Sequence, residues 1–393
     1  STGTYTLPAA DFNASCYLRD ACDYSDKLCG GAPGEHVVEV QFEKFAGHWK
    51  NPTYETVILR AYESTAHVKD ALEAGTLHIA YGVQTLSPSA FLSLATAEDG
   101  GSVVAHKAPT DMNTRLVVLN SGGALNTTDL RKLVMGVLLE ARQALIDGEL
   151  AEEEPMDTLF DPALPHCSAL SSLSTPAELA ATKSASVTAA DITTPLRFMY
   201  IKDIPHHKMI ASAVIAALYT AGIAVEAMPL DKDTYNLRHC DYLADPDFFG
   251  EGQPQYYGAY YNYGAYGEDV NYHSWDIAIS ETWGPPYDAT SKLWDMTHGL
   301  SDAWCSMEAD AVAVSNMQDY STATFATNVR GMSNVVDPVA REAVYTEVLT
   351  ALHDEAIFLP LTAKRQTAVT STTVSGFKFG FMEYDLPLAN LVP

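Results

Sequence analysis

The sequence predicts an α/β fold divided into two lobes, and three observations predict it. At 393 residues the chain exceeds the roughly 250–300 residues at which a single hydrophobic core stops growing. Apolar runs of strand length alternate with amphipathic segments of helix length along most of it. One stretch reads as a complete βαβ unit: "LRFMYI" (196–201), a helix from about His206 to Ala221, and "IAVEAMPL" (223–230). Such crossovers build parallel sheets.

The remaining elements follow in chain order. Residues 1–35 are rich in Cys, Gly and Asp with little periodicity and read as an irregular segment stapled by disulfides. "HVVEVQF" (36–42) and "ETVILRAY" (55–62) read as strands, "TAHVKDALEAG" (65–75) as a short helix ended by Gly75, and "LHIAYG" (77–82) as another strand. "TRLVVLN" (114–120) is an apolar strand before a Ser-Gly-Gly break. The run from Thr127 to Gly148 has a Thr/Asp start, apolar residues at helical spacing and a terminal Gly, which together predict a helix. Residues 149–190 read as a loose acidic, then Ser/Ala/Thr-rich connector. Residues 251–273, with Tyr256, Tyr257, Tyr260, Tyr261, Tyr263, Tyr266 and Tyr272 among glycines, match neither period and read as an inserted surface loop. "WDIAISETW" restores a strand, 337–356 a helix, and "IFLPL" a strand leading into a β-rich tail.

Charge excludes some partners. Twenty-three Lys and Arg stand against 50 Asp and Glu, a net −27, which repels phosphate backbones and anionic lipid, so nucleic acid is not an expected partner. The longest apolar run, "MIASAVIAALYTAGIAV", is broken by Gly222 and reads as a buried helix followed by a strand, not a membrane span. Six cysteines, Cys16, Cys22, Cys29, Cys167, Cys240 and Cys305, in an even count and without paired zinc-ligand spacing, point to disulfides and an extracytoplasmic location. Their spacing leaves the connectivity open. The sequons at Asn13 and Asn126 agree with export, and the start at "STGTYTLPAA" suggests a processed form.

Within "WGPPYD" (283–288) Trp283 and Tyr287 flank a Gly-Pro-Pro turn. Proline fixes φ and Gly284 tolerates angles that other residues avoid, so the segment is a shaped loop that presents two aromatics. They either meet a ligand or anchor a domain corner. The dyads His166-Cys167 and His239-Cys240 suggest soft-metal sites, although disulfide use of the cysteines is simpler. His353-Asp354-Glu355 invites an acid–base reading, but its place late in an amphipathic helix favours a structural role. The chain carries no G-x-S-x-G, H-E-x-x-H, G-x-x-x-x-G-K-[ST] or G-x-G-x-x-G motif, and no enzyme activity is expected. The Tyr/Gly loop, Tyr256 to Tyr272, offers stacking faces that would suit a protein partner as well as a floppy insertion.

"ALEAGTLHIAYG" (71–82), "LRKLVMGVLLEARQALIDG" (130–148), "DTLFDPALPHC" (157–167), "ETWGPPYD" (281–288) and "LTALHDEAIFLPL" (349–361) resemble, in this order, segments of the periplasmic solute-binding proteins that serve nickel and dipeptide/oligopeptide ABC importers, the nickel-binding members in particular. The resemblance covers about residues 36–393. It implies a two-lobed periplasmic-binding-protein-like fold of type II, with lobe one at 36–119 plus 361–393, lobe two at 120–360, and a ligand cleft between them. By the same resemblance Trp283 and Tyr287 line the cleft over a metal chelate, and His298 stands near where some relatives present a histidine to nickel. Neutral imidazole suits Ni²⁺, and a surface histidine is the competing reading. The resemblance begins part-way into lobe one, so the first lobe is expected to be incomplete unless a companion chain completes it.

Two functions are therefore expected to compete. One is capture of a nickel chelate or short peptide, with nickel entering only as part of the chelate. The other is a non-transporting structural or docking subunit built on the same fold.

Overall fold

The computed structural model describes residues 5–6, 39–45, 52–62, 64–82, 85–96, 101–108, 113–232, 235, 275–282, 289–297, 313–314, 316–380 and 388–393. They fall into two compact units, Ser1–Pro109 with Gln366–Pro393, and Thr110–Arg365. The chain therefore passes between units twice.

In the first unit the described strands form two antiparallel sheets. β1 (Tyr5–Thr6), β2 (Glu39–Lys44) and β3 (Thr56–Arg60) pair in that order. β4 (Ile79–Tyr81), β5 (Val103–Lys107) and β12 (Thr367–Ser371) make the other, with β12 central. One face of that second sheet is covered by α1 (Thr65–Glu73) and α2 (Pro88–Thr96), which bury Val68, Leu72, Phe91 and Leu94 against Ala80, Val103 and Val369. Ser64 caps α1 by accepting from His67 N–H, and Gly75 ends it at φ +70°, the left-handed conformation a non-glycine residue adopts at a cost. The sequence reading omits α2 and β5: "PSAFLSLAT" lacks charges to mark a polar face, and "VVAHK" is too short to show a period.

The second unit is a three-layer α/β body. Its described strands run β7-β11-β6-β10-β8-β9, where β6 is Thr114–Leu119, β7 Glu154–Pro155, β8 Leu196–Ile201, β9 Val225–Leu230, β10 Ile277–Glu281 and β11 Phe358–Ala363. β8 is parallel to β9 and β10; β6 is antiparallel to β10 and β11. Every residue of β6 and β11 is buried, as strands covered on both faces must be. On one face α3 (Thr128–Asp147), α4 (Pro176–Ala181) and α5 (Pro205–Thr220) pack Val134, Leu138, Leu179, Ile210 and Val214 onto Val117, Leu119, Phe198, Ile277 and Leu359. On the other, α6 (Thr290–Asp295), α7 (Thr322–Met332) and α8 (Pro338–Asp354) pack Leu293, Phe325, Val329, Tyr345 and Leu349 onto Leu116, Val118, Met199 and Ala278.

β6 and β11 lie whole within the second unit, Thr110–Arg365; both strands are central to its sheet and take their burial from it. The connector is not loose: Thr175 and Glu178 form a capping box that starts α4, and Leu179 and Ala180 bury on α3. Of the six cysteines only Cys167 is described, and it is fully buried in the core of the second unit; the other five, and the Tyr-rich loop, lie outside the described residues.

Candidate functional site

β8, β9, β10 and β11 all point the same way, so their carboxyl ends share one edge of the sheet with the amino end of β6. In open α/β sheets that edge is where ligands bind. The expected ligand loop leaves the sheet there. Thr282, 2% exposed, ends the described strand region, with its Oγ1 accepting from Thr114 N–H at 2.7 Å. Ala289, 1% exposed, opens α6 after the loop. Trp283 and Tyr287 lie between these two buried anchors, outside the described residues. His298 is outside them also, one residue beyond Thr297, whose carbonyl accepts from Arg330 at 3.1 Å.

Around the same edge stands a set of charged and imidazole side chains. Arg115 grips Glu153 through Nε (2.8 Å) and Nη2 (2.9 Å), a bidentate pairing with little freedom. Thr362 donates to the same carboxylate at 2.5 Å. Arg115 Nη1 lies 3.6 Å from Glu281, whose other oxygen accepts from Lys364 Nζ at 3.2 Å. Glu281, the last residue of β10, is the member of this set that water reaches most, its side chain 40% exposed. The protein around it would raise its pKa, but the charges of Lys364 and Arg115 outweigh that and hold it below the usual carboxylate value.

Pro205 opens α5 at the first helical position, where a missing N–H costs nothing, and so places His206 and His207 at the carboxyl end of β8. His207 Nδ1 accepts from Ile201 N–H at 3.2 Å, which leaves the neutral ring with its proton on Nε2. Burial lowers its pKa to about 4 against the pull of Glu281, and Arg115 adds to the lowering. His206 is pushed well below 6.5 by burial and then by the fields of Arg115, His207 and Lys364. Both imidazoles are therefore neutral at physiological pH. The edge can orient a solute through hydrogen bonds and fixed charges.

Spacing gave no hint of this set, because Arg115, Glu153, His206, Glu281 and Lys364 are scattered over 250 positions of the chain. The available signal was position: each of Arg115, Glu281 and Lys364 abuts an apolar strand at the same end.

Other sequence candidates resolve structurally. Glu355, 0% exposed, accepts from Arg131 Nη2 at 2.6 Å and from the backbone N–H groups of Gln318, Asp319 and Tyr320, so its carboxylate is a fully satisfied structural counter-ion. His353 faces Ser174 Oγ at 2.9 Å. His166 bonds Glu342 at 2.7 Å and stacks on Tyr345, whereas Cys167 is buried in the core; the dyad is not a joint site. Among the described residues no group of three His, Cys, Asp or Glu is placed to hold a metal. No described helix is long and apolar enough to cross a membrane.

No protein-family model matches the sequence, and comparison with curated proteins finds no match. Solved structures do match. NikA from Brucella suis, in complex with Fe(III)-EDTA, superposes with a TM-score of 0.70 at 22% identity over 94% of this chain and 67% of NikA. NikA from Staphylococcus aureus, in complex with Ni(L-His)2, gives 0.61 at 12% identity over 92% of this chain and 68% of that protein. DppA from Helicobacter pylori, an ABC transporter-associated periplasmic binding protein in complex with the peptide STSA, gives 0.59 at 14% identity over 91% of this chain and 60% of DppA. The chain thus spans about two thirds of the length of these proteins. At such identities the likeness is one of fold, and this chain has the α/β fold of the ABC-transporter substrate-binding proteins of the nickel and peptide class.

Proposed function

We propose that this protein is a solute-binding protein that captures a metal chelate or a short peptide and releases it chemically unchanged. The observation that carries this reading is the carboxyl edge of the second unit. In a fold shared with chelate- and peptide-bound proteins, two neutral histidines and a Lys–Glu–Arg set stand where the chain leaves for Trp283 and Tyr287. On this reading the two aromatics supply stacking faces, His298 is a candidate nickel ligand, and nickel is cargo carried as a chelate. The location is extracytoplasmic, in keeping with the periplasmic designation of DppA. The stretch from Tyr256 to Tyr272 is a candidate surface for a protein partner. No observation supports the companion chain that the sequence suggested.

Isothermal titration with Ni(L-His)2, Fe(III)-EDTA and the tetrapeptide STSA tests the proposal. Saturable one-site binding of any of them, with the probe recovered unaltered, is the expected result. Failure of all three moves the reading to a structural or docking subunit.

A further inference from the structure

The outer face of α8 departs from the usual pattern of a surface helix. Its inward side buries Tyr345, Val348, Leu349 and Leu352 in the core, and the outward side of such a helix ordinarily carries charge. Over the first half of α8 it does not: Val339 is 78% exposed, with Ala340 and Ala343 exposed beside it. Val336, just before the Asp337 cap, is 87% exposed. Neither valine has a structural task there. An exposed Val offers less helix propensity than Ala, and Val336 has no apolar side chain at the fourth helical position to staple to, because Arg341 stands there.

Val339 and Ala343 lie one turn apart and, with Pro338, floor an open groove bordered by Glu342, Glu347 and His166. His166 Nδ1 meets Glu342 Oε2 at 2.7 Å, and Ser168 donates to Oε1 at 2.9 Å. These bonds hold Glu342 below the usual carboxylate pKa, so it is ionised. Glu347 accepts from the Tyr320 hydroxyl at 2.6 Å and from Asn328 Nδ2 at 3.0 Å. The Tyr320 phenol is pushed up to about 12 by burial and then by Glu347, so both donors are neutral and satisfy the carboxylate without cancelling its charge.

Charge decides what can lie along this face. A second copy seated on it isologously would bring its own Glu342 and Glu347 to the same rim, and the net −27 of the chain opposes both that copy and an anionic lipid surface. A segment with an apolar stripe flanked by Lys or Arg is attracted on both counts. We infer that the exposed half of α8 is a docking face for a basic amphipathic helix of a partner protein, which lays its apolar stripe over Val336, Val339 and Ala343 and its cations against Glu342 and Glu347. This face stands apart from the solute-binding reading, which concerns the sheet edge.

Three fluorescein-labelled peptides of about 18 residues, roughly five helical turns, are the probes. One has Leu along one face and Lys elsewhere, one has the same Leu face with Glu elsewhere, and one has Ser in place of Leu with the Lys kept. Fluorescence anisotropy reads their binding to wild type, to Val336→Ser/Val339→Ser and to Glu342→Gln/Glu347→Gln. The Leu/Lys peptide is expected to bind wild type saturably and the Ser variant about 10- to 100-fold more weakly. The Gln variant is expected to weaken it about fivefold and to flatten its salt dependence. The Leu/Glu and Ser/Lys peptides should bind wild type at least about tenfold more weakly than Leu/Lys. The substituted side chains lie at the surface, and thermal unfolding checks that each variant keeps its fold. Equal binding of the Leu/Lys peptide to wild type and to the Ser variant overturns the inference, since attraction to the net charge alone would then account for it. No binding to wild type overturns it too, as does equal affinity for the Leu/Lys and Leu/Glu peptides. Sedimentation equilibrium supplies the remaining arm: a wild-type dimer that the Ser variant converts to monomer would put a second copy on this face in place of a basic partner.

Discussion

At the scale of the residue, side chains separate by whether the protein already satisfies them. Arg131 is 0% exposed and bonds Glu355 through both its carbonyl and its carboxylate, and Leu125 O besides. Removing one member strands the other charge in the core, so Glu355→Ala should cost about 3–5 kcal/mol of stability, read by urea unfolding, with little change in the affinity of any bound solute. Trp283 is predicted to behave the opposite way. Trp283→Ala should weaken binding of STSA or Ni(L-His)2 by about 10- to 100-fold, a loss of roughly 1–3 kcal/mol, while Pro285 and Pro286 keep the loop shaped and the melting temperature holds. A collapsed melting temperature with unchanged affinity would instead make the loop a structural corner. The histidines add a pH dependence of known sign. His207 has its pKa lowered from 6.5 to about 4, so the unfolded chain takes up a proton that the folded chain refuses. Stability is therefore level above about pH 7 and falls as the pH drops from 6.5 towards 4, by about 2 kcal/mol for this group given its partial exposure. His207→Asn, which keeps an acceptor for Ile201 N–H, should flatten that slope in urea titrations at pH 7.5, 6 and 5.

At the scale of the element, ends and turns decide more than interiors do. α1, α3, α4, α7 and α8 each begin with a Ser, Thr or Asp side chain accepting from the first turn; the sequence reading found α1, α3 and α8, whereas α4 and α7, short and set among Ser, Thr and Ala, escaped it. α5 begins on Ile204 and Pro205 instead, and it is the helix that carries the histidine pair. In the first unit the chain's last residues return to pair Ser375 with Val392. This return depends on Gly376, which sits at φ +74° with Asn390 O only 2.2 Å from where a Cβ would stand. Gly376→Ala should therefore expel residues 388–393, at a cost above about 1 kcal/mol. Faster hydrogen exchange at the Val392 amide, with exchange in the second-unit strands unaltered, is the expected signature.

At the scale of the whole molecule the net charge of −27 sets a self-repulsion that folding concentrates. Salt screens repulsion between exposed charges, with a Debye length near 10 Å at 0.1 M and about 3 Å at 1 M, but barely touches a buried pair such as Arg131–Glu355. Raising NaCl from 50 mM to 1 M should accordingly raise the melting temperature, by several degrees on the usual scaling of a few kcal/mol to Tm. A fall on adding salt would mean that exposed ion pairs such as Lys44–Glu55 outweigh the net repulsion. The same acidity opposes the approach of nucleic acid and anionic membranes, and it makes the local pairing of cations and carboxylates at the edge of the second sheet matter more, since that edge escapes the prevailing sign.

The sequence by itself determined the α/β class, the helix from Thr128 to Asp147 with its Thr127 cap and Gly148 end, the β8–α5–β9 crossover, and the strand Ile277–Glu281 that precedes Trp283 in the chain. These are local matters: period, capping and the restricted φ of proline act within a few residues. Only the tertiary structure decided that β6 and β11, almost 240 positions apart, are neighbours at the centre of one sheet, and that Arg115, Lys364, Glu281 and the histidine pair meet at its carboxyl edge. The register of strand pairing brings them together. Register is chosen by burial on both faces of the sheet at once, a property that belongs to no single segment of the chain.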